Sequence, residues 1–154
     1  MTALTLLAFL ASPLALAGDG PPLLPYLDCM DSDCDQALEE VLAYKGDAIA
    51  PLVAVLEEGT SRTYEAELGY ALAIRYDALV EAGAEAGVKL PLDRDGFVAH
   101  GLDQADAAHR IRAAQALAQL GGSEAKEALY DAKAQPHRAD VLAAVVSAIE
   151  ALGA

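Results

Sequence analysis

RAAQALAQLGGSEAKEAL, residues 112–129, decides the fold. Ala116, Leu117 and Leu120 fall at three- and four-residue intervals, which puts them on one face of a helix. The double glycine Gly121-Gly122 stops that helix, and SEAKEAL opens a second one at once. A helix ending in Leu-Gly, a tight turn and a short second helix make one hairpin. No side chain in the stretch looks like a reagent, so the segment reads as architecture.

The same pattern extends in both directions. Leu38, Val41 and Leu42 predict a first amphipathic helix closing near Lys45-Gly46. In GDAIAPLVAVLEEG, Ile49, Leu52, Val53 and Leu56 share a face, with Pro51 in the first turn, where a missing N–H costs little. Gly59 ends that helix. Tyr64, Leu68, Leu72, Tyr76 and Leu79 predict a long helix from about Ser61 to Ala82. Gly83, Gly87 and Pro91 then mark a loop through PLDRDGFVAHG, residues 91–101, with room for one helical turn; Asp93-Arg94-Asp95-Gly96 reads as a turn within it. Helical spacing returns over 107–120, 124–134 and 140–152. No period-2 apolar run of strand length occurs, so the expected fold class is all-α.

The chain also overlays on itself. A shift of 32 places Ala116, Leu117, Leu120 and Gly121 over Ala148, Ile149, Leu152 and Gly153. A shift of 77 places Asp47, Ala48 and Leu52 over Glu124, Ala125 and Leu129. The order of the parts gives these coincidences their weight, because one hairpin cannot bury its apolar face and hairpins therefore stack.

RIRAAQALAQLGGSEAKEAL, Arg110 to Leu129, resembles a HEAT repeat of the type also found in phycobilin lyases. GDAIAPLVAVLEE, Gly46 to Glu58, resembles the second helix of such a repeat. The likeness covers the last third of the chain and this earlier segment; residues 61–105 depart from it. It implies a short α-solenoid of stacked helical hairpins, an armadillo-type superhelix over residues 35–154, whose usual work is to bind another protein. It also implies a role for Arg110, which stands where the family's arginine bridges adjacent repeats. A solvated surface charge is the other reading of that residue.

Residues 1–17, MTALTLLAFLASPLALA, carry no charged side chain and end in Ala15-Leu16-Ala17. Small residues at those alternate positions suit a signal peptidase, and the run is too short and too interrupted by Pro13 to span a bilayer. The expectation is cleavage after Ala17 and an exported protein, periplasmic or secreted. What remains is 154 − 17 = 137 residues, enough for one domain with its own core.

With 24 acidic against 10 basic residues the formal net charge is −14. Such a balance speaks against nucleic acid and anionic membrane surfaces as partners. There is no Trp, and only 6 Tyr and 2 Phe, so the core is to be made of Ala and Leu.

GDGPPLLPYLD, residues 18–28, reads as an extended leader touching the body through Leu23, Leu24 or Tyr26. In an exported chain the pair Cys29 and Cys34 reads as a structural disulfide, since a redox role favours the closer C-x-x-C spacing. Asp28, Asp31, Asp33 and Asp35 crowd the same loop. An EF-hand begun at Asp31 would place Gln36 at the turn glycine and Leu42 at the bidentate glutamate, so helix capping is the preferred reading and no metal is expected.

Catalysis finds little support. His100, His109 and His137 lack metal-ligand spacing, the serines sit in no nucleophile elbow, and Gly121-Gly122 follows a helix rather than a strand. No catalytic or cofactor-binding residue is assigned.

The C-terminal helix carries the one docking expectation. Val141, Val145, Ala148 and Leu152 make its first apolar face, and Leu142, Val146 and Ile149 make a second beside it. That second face is open to three uses: wedged between helices, paired with another copy, or docked by a different protein. Taken together, the sequence reads as an exported, non-catalytic protein-binding or scaffold module. An accessory protein for chromophore or cofactor attachment, with Cys29 and Cys34 as free thiols, and a calcium-dependent binding protein are the alternatives.

Overall fold

The computed structural model describes residues 20–29 and 33–153, and every regular element among them is helical. The order is α1 (Leu23–Leu27), α2 (Cys34–Leu42), a 3-10 turn (Lys45–Ala48), α3 (Ile49–Glu58), α4 (Arg62–Ala86), α5 (Arg94–Leu120), α6 (Gly122–Lys133) and α7 (Ala139–Ala151). The signal-peptide expectation and Asp31 lie outside the described residues.

Three elements depart from the sequence reading. The proline-rich leader carries a short helix, α1, and sinks Tyr26 and Leu27 to 3% and 4% exposure. The long helix α4 runs on to Ala86 and stops at Gly87, whose φ of 69° supplies the left-handed cap. Above all, the expected loop over 91–101 is helical from Arg94 onward. Asp93 is the N-cap and accepts from the Gly96 amide at 2.8 Å, while Asp95 favours the positive end of the dipole. Gly101, the last residue of that expected loop, sits instead where Leu72 crosses. A Cβ there would fall 2.5 Å from Leu72 Cδ1.

Helix α5, about 40 Å long at 1.5 Å per residue, is the axis of the molecule and contacts every other α-helix. Its second half lies in the core. Leu52, Leu56, Leu117, Leu129, Val41 and Val145 are fully buried there, interleaved with Ala48, Ala113, Ala114, Ala116, Ala125 and Ala132. Alanine at half of these positions lets helices approach closely, which is how a chain without Trp fills its interior.

The first half of α5 leaves this body and runs beside α4. Gly69 faces Val98 and Leu102, Leu72 faces Gly101, the Tyr76 and Phe97 rings lie 5.6 Å apart, and Arg94 pairs with Asp77 at 3.1 Å. Ascending numbers on one helix meet descending numbers on the other, so the two form an antiparallel arm. In contrast, α5 and α7 run side by side in the same direction: Arg138 at the start of α7 is bonded to Asp103, and Leu152 at its end lies against Gly121. Helix α6 connects them.

Candidate interaction surfaces

The N-terminal segment is fastened to α5 by polar side chains. Asp28, just past α1, accepts from the Tyr64 hydroxyl at 2.5 Å and pairs with His109 Nε2 at 2.7 Å. The Tyr64 and His109 rings are 4.8 Å apart, and His109 is 4% exposed. One turn further along α5, the Arg112 guanidinium donates to the carbonyls of Leu27 and Cys29, and the Tyr26 hydroxyl donates back to the Arg112 carbonyl at 3.0 Å. An Asp–His pair can serve acid–base chemistry, but here the carboxylate also takes the Tyr64 hydroxyl. The set binds α1 to α4 and α5. Beside it opens a cleft of about 420 Å³ whose walls include Leu23, Leu24, Leu27 and Val55.

Burial pushes the Tyr26 hydroxyl up to about 12, with the Arg112 charge acting in the opposite direction. Tyr64 is likewise pushed up to about 12, by burial first and then by its bond to Asp28. Both folded values lie above the ordinary 10, so the unfolded chain sheds these protons first. The stability tied to them is intact below about pH 10 and is lost as pH rises through 12. Phenolate absorbance during an alkaline titration should therefore show a late component, which Tyr26→Phe and Tyr64→Phe each diminish. Curves for both variants that keep that late component at full size would refute the assignment.

Cys29 and Cys34 are joined as a disulfide, with Cα atoms 5.1 Å apart. Of the acidic loop, Asp28 is occupied by Tyr64 and His109, Asp33 stands at the N-cap of α2, and Asp35 is exposed in its first turn. Among the described residues no group of three or more His, Cys, Asp or Glu is arranged to hold a metal ion. His100 is exposed, and His137 lies half-buried beside Arg138.

Arg110 is not a solvated charge. Its side chain is 17% exposed, pairs with Asp106 at 2.8 Å and donates to the carbonyls of Leu56 and Glu57 at 2.6 and 2.9 Å. Asp106 in turn accepts from the Thr60 amide at 2.9 Å. The pair thus caps the end of α3 and fixes the turn into α4.

On α7, Val141, Val145 and Ala148 are buried against the body and Leu152 is half-buried. The second face is graded. Ile149 is 6% exposed and belongs to the core, Val146 is half-buried, and Leu142 is 36% exposed. What remains open is a narrow shoulder formed by Leu142 and Val146.

The larger apolar surface is one that the sequence reading did not mark. Tyr70 and Ile74 on α4 are 72% and 52% exposed, and Val80, Val88 and Leu92 near the tip of the arm are also exposed. Tyr76, Val80, Val88 and Leu92 border an open groove of about 490 Å³ there. The spacing that identified the Tyr64–Leu79 stripe selects one face per helix. Tyr70 and Ile74 lie off it, and their only signal was being large and apolar at positions the stripe leaves outside. No match to this chain was found among family models, curated proteins or solved structures.

Proposed function

We propose that the chain is an exported, non-catalytic protein-binding or scaffold module, a short solenoid of HEAT-like hairpins whose arm and C-terminal helix are its docking surfaces. The observation that carries the binding reading is the arm. Tyr70, Ile74 and Val80 on α4, and Val88 and Leu92 between α4 and α5, stand exposed, and such apolar patches mark interaction sites. The Leu142–Val146 shoulder on α7 is the second surface, for a protein partner or a second copy.

Several features favour the repeat architecture. Positions related by the 32-residue shift share their surroundings: Ala116 and Ala148 are buried, Leu117 and Ile149 are buried, and Leu120 and Leu152 are half-buried. Gly121 and Gly153 have φ of 67° and 72°. Across the 77-residue shift, Ala48 and Ala125, and Leu52 and Leu129, are all at 0% exposure. Equivalent helices running parallel, as α5 and α7 do, suit a superhelix of hairpins. Arg110 joins the end of α3 to α5, in keeping with the bridging arginine of HEAT repeats.

Export is favoured by the disulfide, which belongs in an oxidising compartment. No helix among the described residues is long and apolar enough to cross a membrane. The cofactor-attachment reading needs Cys29 and Cys34 as free thiols, whereas here they are bonded to each other.

The test is site-specific photo-crosslinking in the envelope of the exporting cell, from position 74 on the arm and position 142 on α7, with exposed Lys133 as the control position. A discrete adduct from 74 or 142, absent from 133, is the expected result. Adducts from neither would overturn the reading. The recovered protein should begin at Gly18 and weigh two hydrogens less than the dithiol; a retained Met1 would overturn export.

A further inference from the structure

The outward side of α4 has a definite chemistry. Ala66, Tyr70, Ile74 and Ala78 follow one another at intervals of four residues and are all exposed. In a helix such a row is a ridge, the element that interdigitates with a second helix at an axial distance of about 8–10 Å. The alanines leave space on either side of Tyr70 and Ile74 for an incoming backbone. At 25 residues α4 is about 37 Å long, so a docked helix would have a continuous track.

Carboxylates predominate along this track. Glu67, Glu81 and Glu85 are exposed on the same outward side. Asp77 is engaged by Arg94, and Arg75 sits at the margin. A second copy of the chain would bring the same carboxylates against these and add its own net charge of −14. Like charges placed face to face oppose such a pairing.

We infer that the outer face of α4 docks a cationic amphipathic helix of another protein. Its apolar stripe would cover Tyr70 and Ile74, and its Lys or Arg side chains would meet Glu67, Glu81 and Glu85. The inference rests on the binding-module reading and names the class of partner for the arm. Helix-in-groove recognition uses this combination, with apolar anchors one turn apart and charged flanks that set orientation.

The probe is a fluorescein-labelled leucine–lysine peptide of about 18 residues, five helical turns, with its leucines on one helical face. Its control is a scramble of the same composition, and binding to the full chain is read by anisotropy. The wild type should bind the amphipathic peptide more tightly than the scramble. Tyr70→Ser with Ile74→Ser leaves the charge unchanged and alters only exposed positions; it should weaken binding about tenfold or more, as loss of central anchors does. Glu67→Gln with Glu81→Gln should weaken binding and flatten its salt dependence. Ser123→Glu with Gln135→Glu, exposed positions away from the arm and from the α7 shoulder, adds negative charge and should bind no more weakly than the wild type.

Equal binding of peptide and scramble, or Tyr70/Ile74 variants within twofold of wild type, would reduce the effect to attraction by an acidic protein and overturn the inference. So would a wild-type dimer in sedimentation that the serine variant dissolves, because the occupant would then be a second copy. A crosslinked partner at position 74 that presents no cationic helix would overturn the inference while leaving the binding-module reading intact.

Discussion

Gly59→Ala is expected to destabilise the protein by about 2–5 kcal/mol, lowering the melting temperature by roughly 10 °C or more. Gly59 follows α3 with φ 81° and ψ −148°, a backbone region that side-chain-bearing residues essentially do not enter. A Cβ there would stand 1.9 Å from Asp106 Oδ1 and 2.6 Å from the Arg110 guanidinium. Alanine must therefore strain the turn and also dislodge the pair that satisfies the Leu56 and Glu57 carbonyls and the Thr60 amide. Gly46→Ala is the internal control. Nothing lies within 4 Å of a Cβ at Gly46, so the change there should stay under about 1 kcal/mol.

If displacement of Asp106 is part of the cost, Gly59→Ala and Asp106→Ala will add to less than their sum in a double-mutant cycle. A Gly59→Ala protein that melts with the wild type would show that the turn can relax without that pair. The consequence reaches function, because this turn sets the direction in which α4 leaves the core and hence where the arm presents Tyr70 and Ile74.

How much of this was legible in the sequence depends on whether the cause was local. Helices α6 and α7 were found within two residues at each end, since their apolar faces repeat at helical spacing and Gly121 marks the break before α6. The first turns of α5 were missed because Gly96 and Gly101 look like loop residues. Gly101 is glycine for the sake of Leu72, on another helix, and no window of sequence contains that neighbour. Asp28 was counted with an acidic cluster, although its partners are 36 and 81 residues away. On α7 the sequence identified the second apolar face, but not that Ile149 would be covered while Leu142 stayed open. Periodicity shows which side of a helix is apolar, whereas the number of helices available to cover it is set by the whole fold.

Arg112 is the strongest case of a cause with no local trace, and it supports the other large prediction. From the middle of α5 its guanidinium spans the carbonyls of Leu27 and Cys29, 85 and 83 residues away in sequence. Arg112→Ala should cost about 3 kcal/mol, since each bond from a charged donor contributes about 1.5–3 kcal/mol and two made by one side chain are not additive. Arg112→Lys should fall between, because an ammonium group lacks the planar fork that reaches both carbonyls.

The Tyr26 titration then separates two ways of losing that energy. Its hydroxyl is pushed up mainly by burial, and the Arg112 charge works against that push. If the segment stays in place in Arg112→Ala, removal of the charge moves Tyr26 higher still. If α1 and Cys29 come off the body while the core remains folded, Tyr26 returns towards 10, and the disulfide, now exposed at Cys29, is reduced faster by added dithiol. Release is the expected outcome, because without the guanidinium the apolar contacts of Tyr26 and Leu27 and the Asp28 bonds to Tyr64 and His109 must hold a five-residue helix against the entropy of its freedom. An Arg112→Ala protein with wild-type melting and an unchanged late Tyr26 step would mean that water replaces the guanidinium without cost, and the latch would be no latch.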